Sequence, residues 1–117
     1  MKLGAVYLGE RCIVPRVWNA VSAWERTRGL LGRAPLQSGE GMMINECRLV
    51  HTLGMGYPLD LAFLDASGCV RKLLRNVHPA RIAGSLHAER TLELAPGTLD
   101  AIDLKPGDVL AWREGSA

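Results

Sequence analysis

Hydrophobic positions along the chain fall in short blocks of strand length, separated by glycine, proline or paired polar residues. Leu3 to Leu8 has strand composition, and Gly9-Glu10 suits a two-residue turn into Arg11 to Trp18. Within that second run Cys12, Val14, Arg16 and Trp18 alternate with Ile13, Pro15 and Val17, so neither face is cleanly polar. Pro15 has no N–H to give a ladder, which predicts a hairpin whose second strand lies at a sheet edge. Met42-Met43-Ile44, Arg48 to His51, Leu61 to Leu64, Val70 to Val77, Thr91 to Leu94 and Val109 to Trp112 read as further strands. Asp65-Ala66-Ser67-Gly68 makes a tight reversal, and Thr91-Leu92-Glu93-Leu94 alternates cleanly, as a half-buried strand does. Pro96-Gly97 and Pro106-Gly107 supply the fixed and the positive dihedral of type II turns. His78 to His87, with Pro79, Gly84 and Ser85, reads as a long loop.

One segment has the helical period instead. Ser22 and Glu25 have the spacing of a capping box. Val21, Trp24, Arg28 and Leu31 then fall on one side, joined by Ala20, Ala23 and Leu30, and Gly32 suits the turn beyond. The pattern predicts one short α-helix near 22–32, with Arg28 on its apolar side. A guanidinium there needs an acceptor. Asp60 or Glu46 would make a structural pair, whereas a ligand carboxylate or phosphate would make a binding site. Strands joined by short links favour antiparallel pairing, and closing or doubling the sheet would protect its edges. The expected fold is therefore mainly β (α+β at most), a small antiparallel β-barrel or sandwich-like domain with that one helix.

The 117 residues suit a single domain over 1–117, and 48% hydrophobic content suits a packed one. A net charge of +2, without a lysine-rich run, argues against a nucleic-acid partner. Three cysteines, Cys12, Cys47 and Cys69, cannot all pair within one chain, so a reducing compartment is the simpler reading. One bridge and one thiol is the alternative. No run approaches the roughly 18 apolar residues of a membrane span, and no signal-peptide core follows Lys2. The chain as given reads as cytoplasmic, a monomer or weak homo-oligomer.

Several pieces taken together resemble a known family. Arg26-Thr27-Arg28-Gly29-Leu30-Leu31-Gly32-Arg33, Gly41-Met42-Met43-Ile44 and Pro58-Leu59-Asp60-Leu61-Ala62-Phe63-Leu64-Asp65 are similar in order and spacing to the domain of unknown function 192 family. Leu92-Glu93-Leu94-Ala95-Pro96-Gly97 and Gly107-Asp108-Val109 extend the likeness to about residues 17–112. The family's usual Trp-Met-Lys-Asn-Thr is replaced here by His51-Thr52-Leu53-Gly54-Met55, like a Val-His-Thr subgroup. The resemblance implies a small, mainly β, barrel- or sandwich-like domain with a short helix. It implies no activity, and many members are exported.

Candidate chemistry gathers at the 47–60 corner, where Gly54, Gly56 and Pro58 break the chain between two apolar runs. Arg28, His51, Thr52, Met55 and Asp60 are the candidate ligand-binding residues, with Tyr57 beside them. His51 has the chemistry of a general base and Asp60 that of its orienting carboxylate. Against this, short polar side chains routinely organise such turns by accepting backbone N–H bonds. Cys47 and Cys69 suit small core residues better than nucleophiles. The spacings of His51, His78 and His87 match no compact metal motif, so neither metal nor cofactor is expected. Arg71, Lys72, Arg75, His78, Arg81, His87 and Arg90 form a basic stretch that suits a solvated face. Trp18, Trp24 and Trp112 suit core packing better than a pocket. The reading is a non-enzymatic binding or accessory module with a small-molecule or protein-partner site at the corner; the alternative is a hydrolase-like enzyme using His51 and Asp60 with a cysteine or metal.

Overall fold

The computed structural model describes residues 1–22, 25, 34–47, 49–51, 56–79 and 81–115, with only the backbone described at 49–51. In chain order the strands are β1 (Lys2–Leu8), β2 (Arg11–Ala20), β3 (Glu40–Asn45), β4 (Leu49–His51), β5 (Leu59–Leu64), β6 (Val70–Val77), β7 (Ile82–Gly84), β8 (Arg90–Leu94) and β9 (Leu110–Glu114). A short helix, α1 (Thr98–Ile102), lies between the last two. Seven strands form one sheet in the order β6-β5-β8-β3-β2-β1-β9, and β4 pairs with β7 in a separate ribbon. The mainly β architecture is the expected one.

The predicted hairpin is present, with Leu8 opposite Arg11. Its second strand is not at an edge, however, because β2 also pairs with β3. Proline is accommodated by a bulge: Gly4 faces Val17 and Val6 faces Val14, so Ala5 alone opposes Pro15 and Arg16. The missing N–H thus falls where the ladder is already interrupted. Pairing of β2 with β3 is parallel, against the antiparallel expectation, since the connection over 21–39 is long enough to carry the chain back. At its start Glu25 N–H donates to Ser22 Oγ (3.1 Å), while Glu25 Oε1 accepts from the N–H groups of Ser22 (3.2 Å) and Val21 (3.1 Å). The capping box is therefore made, and the rest of the helix expected near 22–32 lies outside the described residues.

Two other expectations are corrected. The segment 78–87 is not all loop, because Ile82–Gly84 pairs with Leu49–His51. Helix α1 was hidden behind the Pro96-Gly97 turn, whose Gly97 (φ 89°) serves as its N-cap without a side-chain bond. Five residues are too few to leave a readable period.

Each face of the sheet carries its own apolar cluster. On the first face Val6, Val14, Val17, Met43, Ala62, Leu64, Leu92 and Leu94 pack with Leu99 and Leu104 around α1. On the second, Met42, Ile44, Leu59, Leu61, Phe63 and Ala88 pack with Trp18, Leu36, Cys47, Tyr57 and Ala83. This is why every residue of β5 is buried. It also explains β8, whose clean alternation suggested one wet face: Thr91 and Glu93 are buried on the second.

The sheet is sandwich-like and is not closed into a barrel. Its two outer strands meet only where they begin. There Cys69 bridges Val109, Val70 N–H donates to Asp108 O (2.8 Å) and Leu110 N–H donates to Gly68 O (2.9 Å). Gly68 has φ 88°, and a Cβ there would lie 2.2 Å from Leu110 O. Gly68→Ala is expected to destabilise the fold by about 1–3 kcal/mol from the backbone conformation alone, with the clash adding to it. Urea unfolding checks this, and an unchanged midpoint would mean that the junction carries no stability.

Candidate functional site

Of the residues singled out from the sequence, Asp60 is fully described. It is 1% exposed and lies on the first face of β5, opposite Leu94 of β8. Its Oδ1 accepts the Asn76 N–H and its Oδ2 the Leu99 N–H, both at 2.9 Å. Asn76 has a left-handed backbone (φ 52°) at the point where Asp60 alone opposes Arg75 and Asn76 of β6. Leu99 is the second residue of α1, so Asp60 caps from a distant strand a helix that has no side-chain cap of its own. Among the described residues the carboxyl thus accepts backbone N–H bonds from β6 and α1, while Thr52 to Met55 of the glycine-rich corner lie outside the description.

His51 is the last residue of β4 and pairs with Ile82; its side chain, with Arg28, Thr52 and Met55, lies outside the description. So does Trp24. The expected pairing of Arg28 with Asp60 or Glu46 therefore involves a residue outside the description. None of the cysteines forms a disulfide. Cys47 is held by its backbone, its N–H donating to Glu89 O (2.8 Å) and its carbonyl accepting from Thr91 Oγ1 (2.9 Å). Among the described residues no three His, Cys, Asp or Glu side chains converge as a metal site. Much of the basic stretch is tied locally: Arg71 to Asp65 (3.6 Å), Lys72 to Gly84 O (2.7 Å) and Arg75 to Asp100 (2.8 Å). Trp112 donates to Val17 O (2.9 Å) and packs against the first core.

The second face holds what the sequence did not single out. Glu93 is 4% exposed, between Met42 of β3 and Leu61 of β5 in the cross-strand row. Among the described residues its Oε1 has no hydrogen-bond partner, and the Tyr57 hydroxyl is a second buried polar atom, with only the Leu36 backbone beside it. Burial alone pushes the Glu93 carboxyl up from 4.5 to about 7. Burial also raises the Tyr57 hydroxyl above its usual value, partly opposed by the Leu36 backbone and reinforced by the Glu93 charge. A buried carboxyl oxygen without a partner costs stability, and groups so perturbed are enriched at functional sites. A cavity of about 240 Å³ opens one strand away, with Trp18, Leu36, Glu40 and Met42 among its walls. Trp18 opposes Met42, and Met42 opposes Glu93, so one row across the sheet runs from the cavity to the carboxyl. Glu93 was visible in Leu92-Glu93-Leu94, but alternation makes the polar position of a strand the wet one unless a second layer covers it.

The family model for the domain of unknown function 192, described as an "Uncharacterized ACR", matches residues 8–112. The chain belongs to this family. No curated protein matches it. Among solved structures it is similar to a "putative transcription regulator" from Sinorhizobium meliloti 1021, with 26% identity, a TM-score of 0.79, and coverage of 95% of this chain and 92% of that one. It is also similar to a protein of unknown function from Novosphingobium aromaticivorans DSM 12444, with 23% identity and a TM-score of 0.79 over 94% and 84% of the two chains. That second likeness shows the fold alone. The match spans β8, so Glu93 falls within the family's part of the chain, as does Asp60. No helix among the described residues is long and apolar enough to cross a membrane.

The two acids should respond to substitution in opposite ways. Asp60→Asn leaves a buried N–H facing an amide NH2 and is expected to cost about 2 kcal/mol or more in urea unfolding. A cost near zero would mean that the two bonds are not what hold β6 and α1. Glu93 binds its proton more tightly folded than unfolded, so stability is fullest below about pH 4.5 and falls as pH rises towards about 7. The fall is of the order of 3 kcal/mol. Glu93→Gln should flatten that slope, and a wild-type profile already flat over the window would contradict the assignment.

Proposed function

We propose that this chain is a non-enzymatic binding module, and that its site is the second face of the sheet beside the 47–60 corner. The buried Glu93 Oε1, without a partner among the described residues, carries the reading. A protein that keeps such a group unpaired loses stability by it, and a ligand donating to it would recover that loss. Tyr57, one residue beyond Gly56 at the corner, brings a buried hydroxyl to the same face. At about 240 Å³ the cavity is below the roughly 300–1,000 Å³ of drug-sized sites, which fits a small molecule or one side chain of a partner.

In this reading Asp60 serves the scaffold, since both oxygens are taken by backbone N–H groups. The hydrolase alternative then lacks its orienting carboxylate. His51, Thr52, Met55 and Arg28 remain candidates for the corner side of the site, on their place in the sequence. A nucleic-acid role, brought to mind by the neighbour's description as a transcription regulator, finds little support in a basic strand whose Arg71, Lys72 and Arg75 are held by local partners.

A fragment screen by thermal shift, followed through the Met42 methyl and Trp18 indole resonances, tests the proposal. Hits should perturb both signals and be lost in Ala34→Trp, which fills the cavity wall. Hits that leave both signals unmoved would place binding elsewhere and end this reading.

A further inference from the structure

We propose that the second-face site takes a primary ammonium group on a short alkyl chain, with Met42 as the movable partition between the cavity and Glu93. The inference rests on the binding reading above and adds the charge of the ligand and its way in.

Met42 is the common wall. It lines the cavity and is the cross-strand neighbour of Glu93. Methionine is unbranched and has three rotatable bonds, so it can swing aside at lower cost than a β-branched or aromatic residue. The space beyond Trp18 then becomes continuous with the carboxyl. The charge follows from what surrounds that path. Around the cavity Glu40 accepts the Gln37 N–H (2.8 Å) and lies 3.7 Å from Arg16, while the Met1 amine pairs with Glu25 (2.8 Å). Those charges offset one another in pairs. Glu93 has no counter-charge among the described residues.

An entering anion would leave two buried negative charges together. A neutral alcohol could donate one hydrogen bond but would not compensate the carboxylate. An ammonium group does both, and charge-assisted bonds are about twice as strong as neutral ones. Aromatic surface favours the same ligand. Trp18 already holds the Arg16 guanidinium 5.5 Å from its ring centre, and Tyr57 is on the same face. The alkyl stem fits the apolar walls offered by Trp18, Leu36 and Met42. Such a group is borne by a free alkylamine or by a lysine side chain of a partner, and the chemistry is shared.

The test titrates n-butylammonium, n-butanol and butyrate into protein carrying methyl-labelled methionine. The Met42 resonance is followed at pH 6 and pH 8. n-Butylammonium should bind, and about tenfold more tightly at pH 8, because a group with its pKa at about 7 is about one-tenth ionised at pH 6 and nine-tenths at pH 8. Glu93→Gln should weaken it at least tenfold and abolish the pH dependence, while Met42→Ala should tighten it by removing the partition. Nα-acetyl-lysine methylamide binding as well as n-butylammonium supports a partner's side chain, and its exclusion supports a free amine. If n-butanol binds as tightly as the ammonium, unaffected by Glu93→Gln, the cavity reading stands and the cation is overturned. If no compound moves the Met42 signal in wild type or Met42→Ala, both fall. A folded Glu93→Gln spectrum and Tyr57→Phe, expected to weaken binding more mildly, guard against a mere loss of structure.

Discussion

Three elements far apart in the chain are held in register by the two carboxyl oxygens of Asp60. One accepts from the bulge in β6 and the other from the first turn of α1. The Leu99 N–H would otherwise be an orphan in the buried interior, and a buried orphan donor costs more than a typical hydrogen bond gains. The bulge gives β6 its extra residue, and α1 delivers Leu99 into the first core. Where β6 begins, Gly68 lets the chain come close enough to β9 for the outer strands to join. The open sheet thereby wraps the first core without becoming a barrel.

On the neighbouring strand sits a second acid with the opposite fate. Glu93 lies beside Leu61, one residue along β5 from Asp60, and faces the other side of the sheet. Asp60 meets donors that the fold itself supplies, whereas among the described residues Glu93 meets Met42, Leu61 and a hydroxyl that does not bond to it. The difference is in the covering layers. The first face is roofed by a helix whose N-terminal amides point inward, and such amides need an acceptor. Among the described residues the second is covered largely by apolar side chains, which offer a carboxyl no donor. The first acid accepts from two backbone N–H groups; the second keeps a buried oxygen without a partner among the described residues.

Membership of the domain of unknown function 192 family and the likeness to two bacterial structures establish the fold well and carry little about activity. A site must therefore be argued from its own residues. What the second face offers is one buried carboxyl, one buried hydroxyl and a small hollow walled in part by Trp18, Leu36 and Met42.

Local chemistry was legible in the chain. The hairpin at Gly9-Glu10, the Asp65 to Gly68 reversal, the Ser22 and Glu25 capping box and the strand runs each depend on neighbours a few residues apart, so composition and spacing determined them. Pro15 misled because a proline in a strand has two solutions, an edge or a bulge, and only the pairing of β2 with both β1 and β3 chose the second. The ribbon of β4 with β7 and the short helix α1 were decided by partners more than 20 residues away. Asp60 stood out by its place after a broken corner, but which donors it meets depended on where β6 and α1 came to rest. Glu93 looked like the wet position of an alternating strand. Only the second layer of packing removed its water, leaving Oε1 without a partner among the described residues, because burial is a property of the assembled layers and not of any one strand.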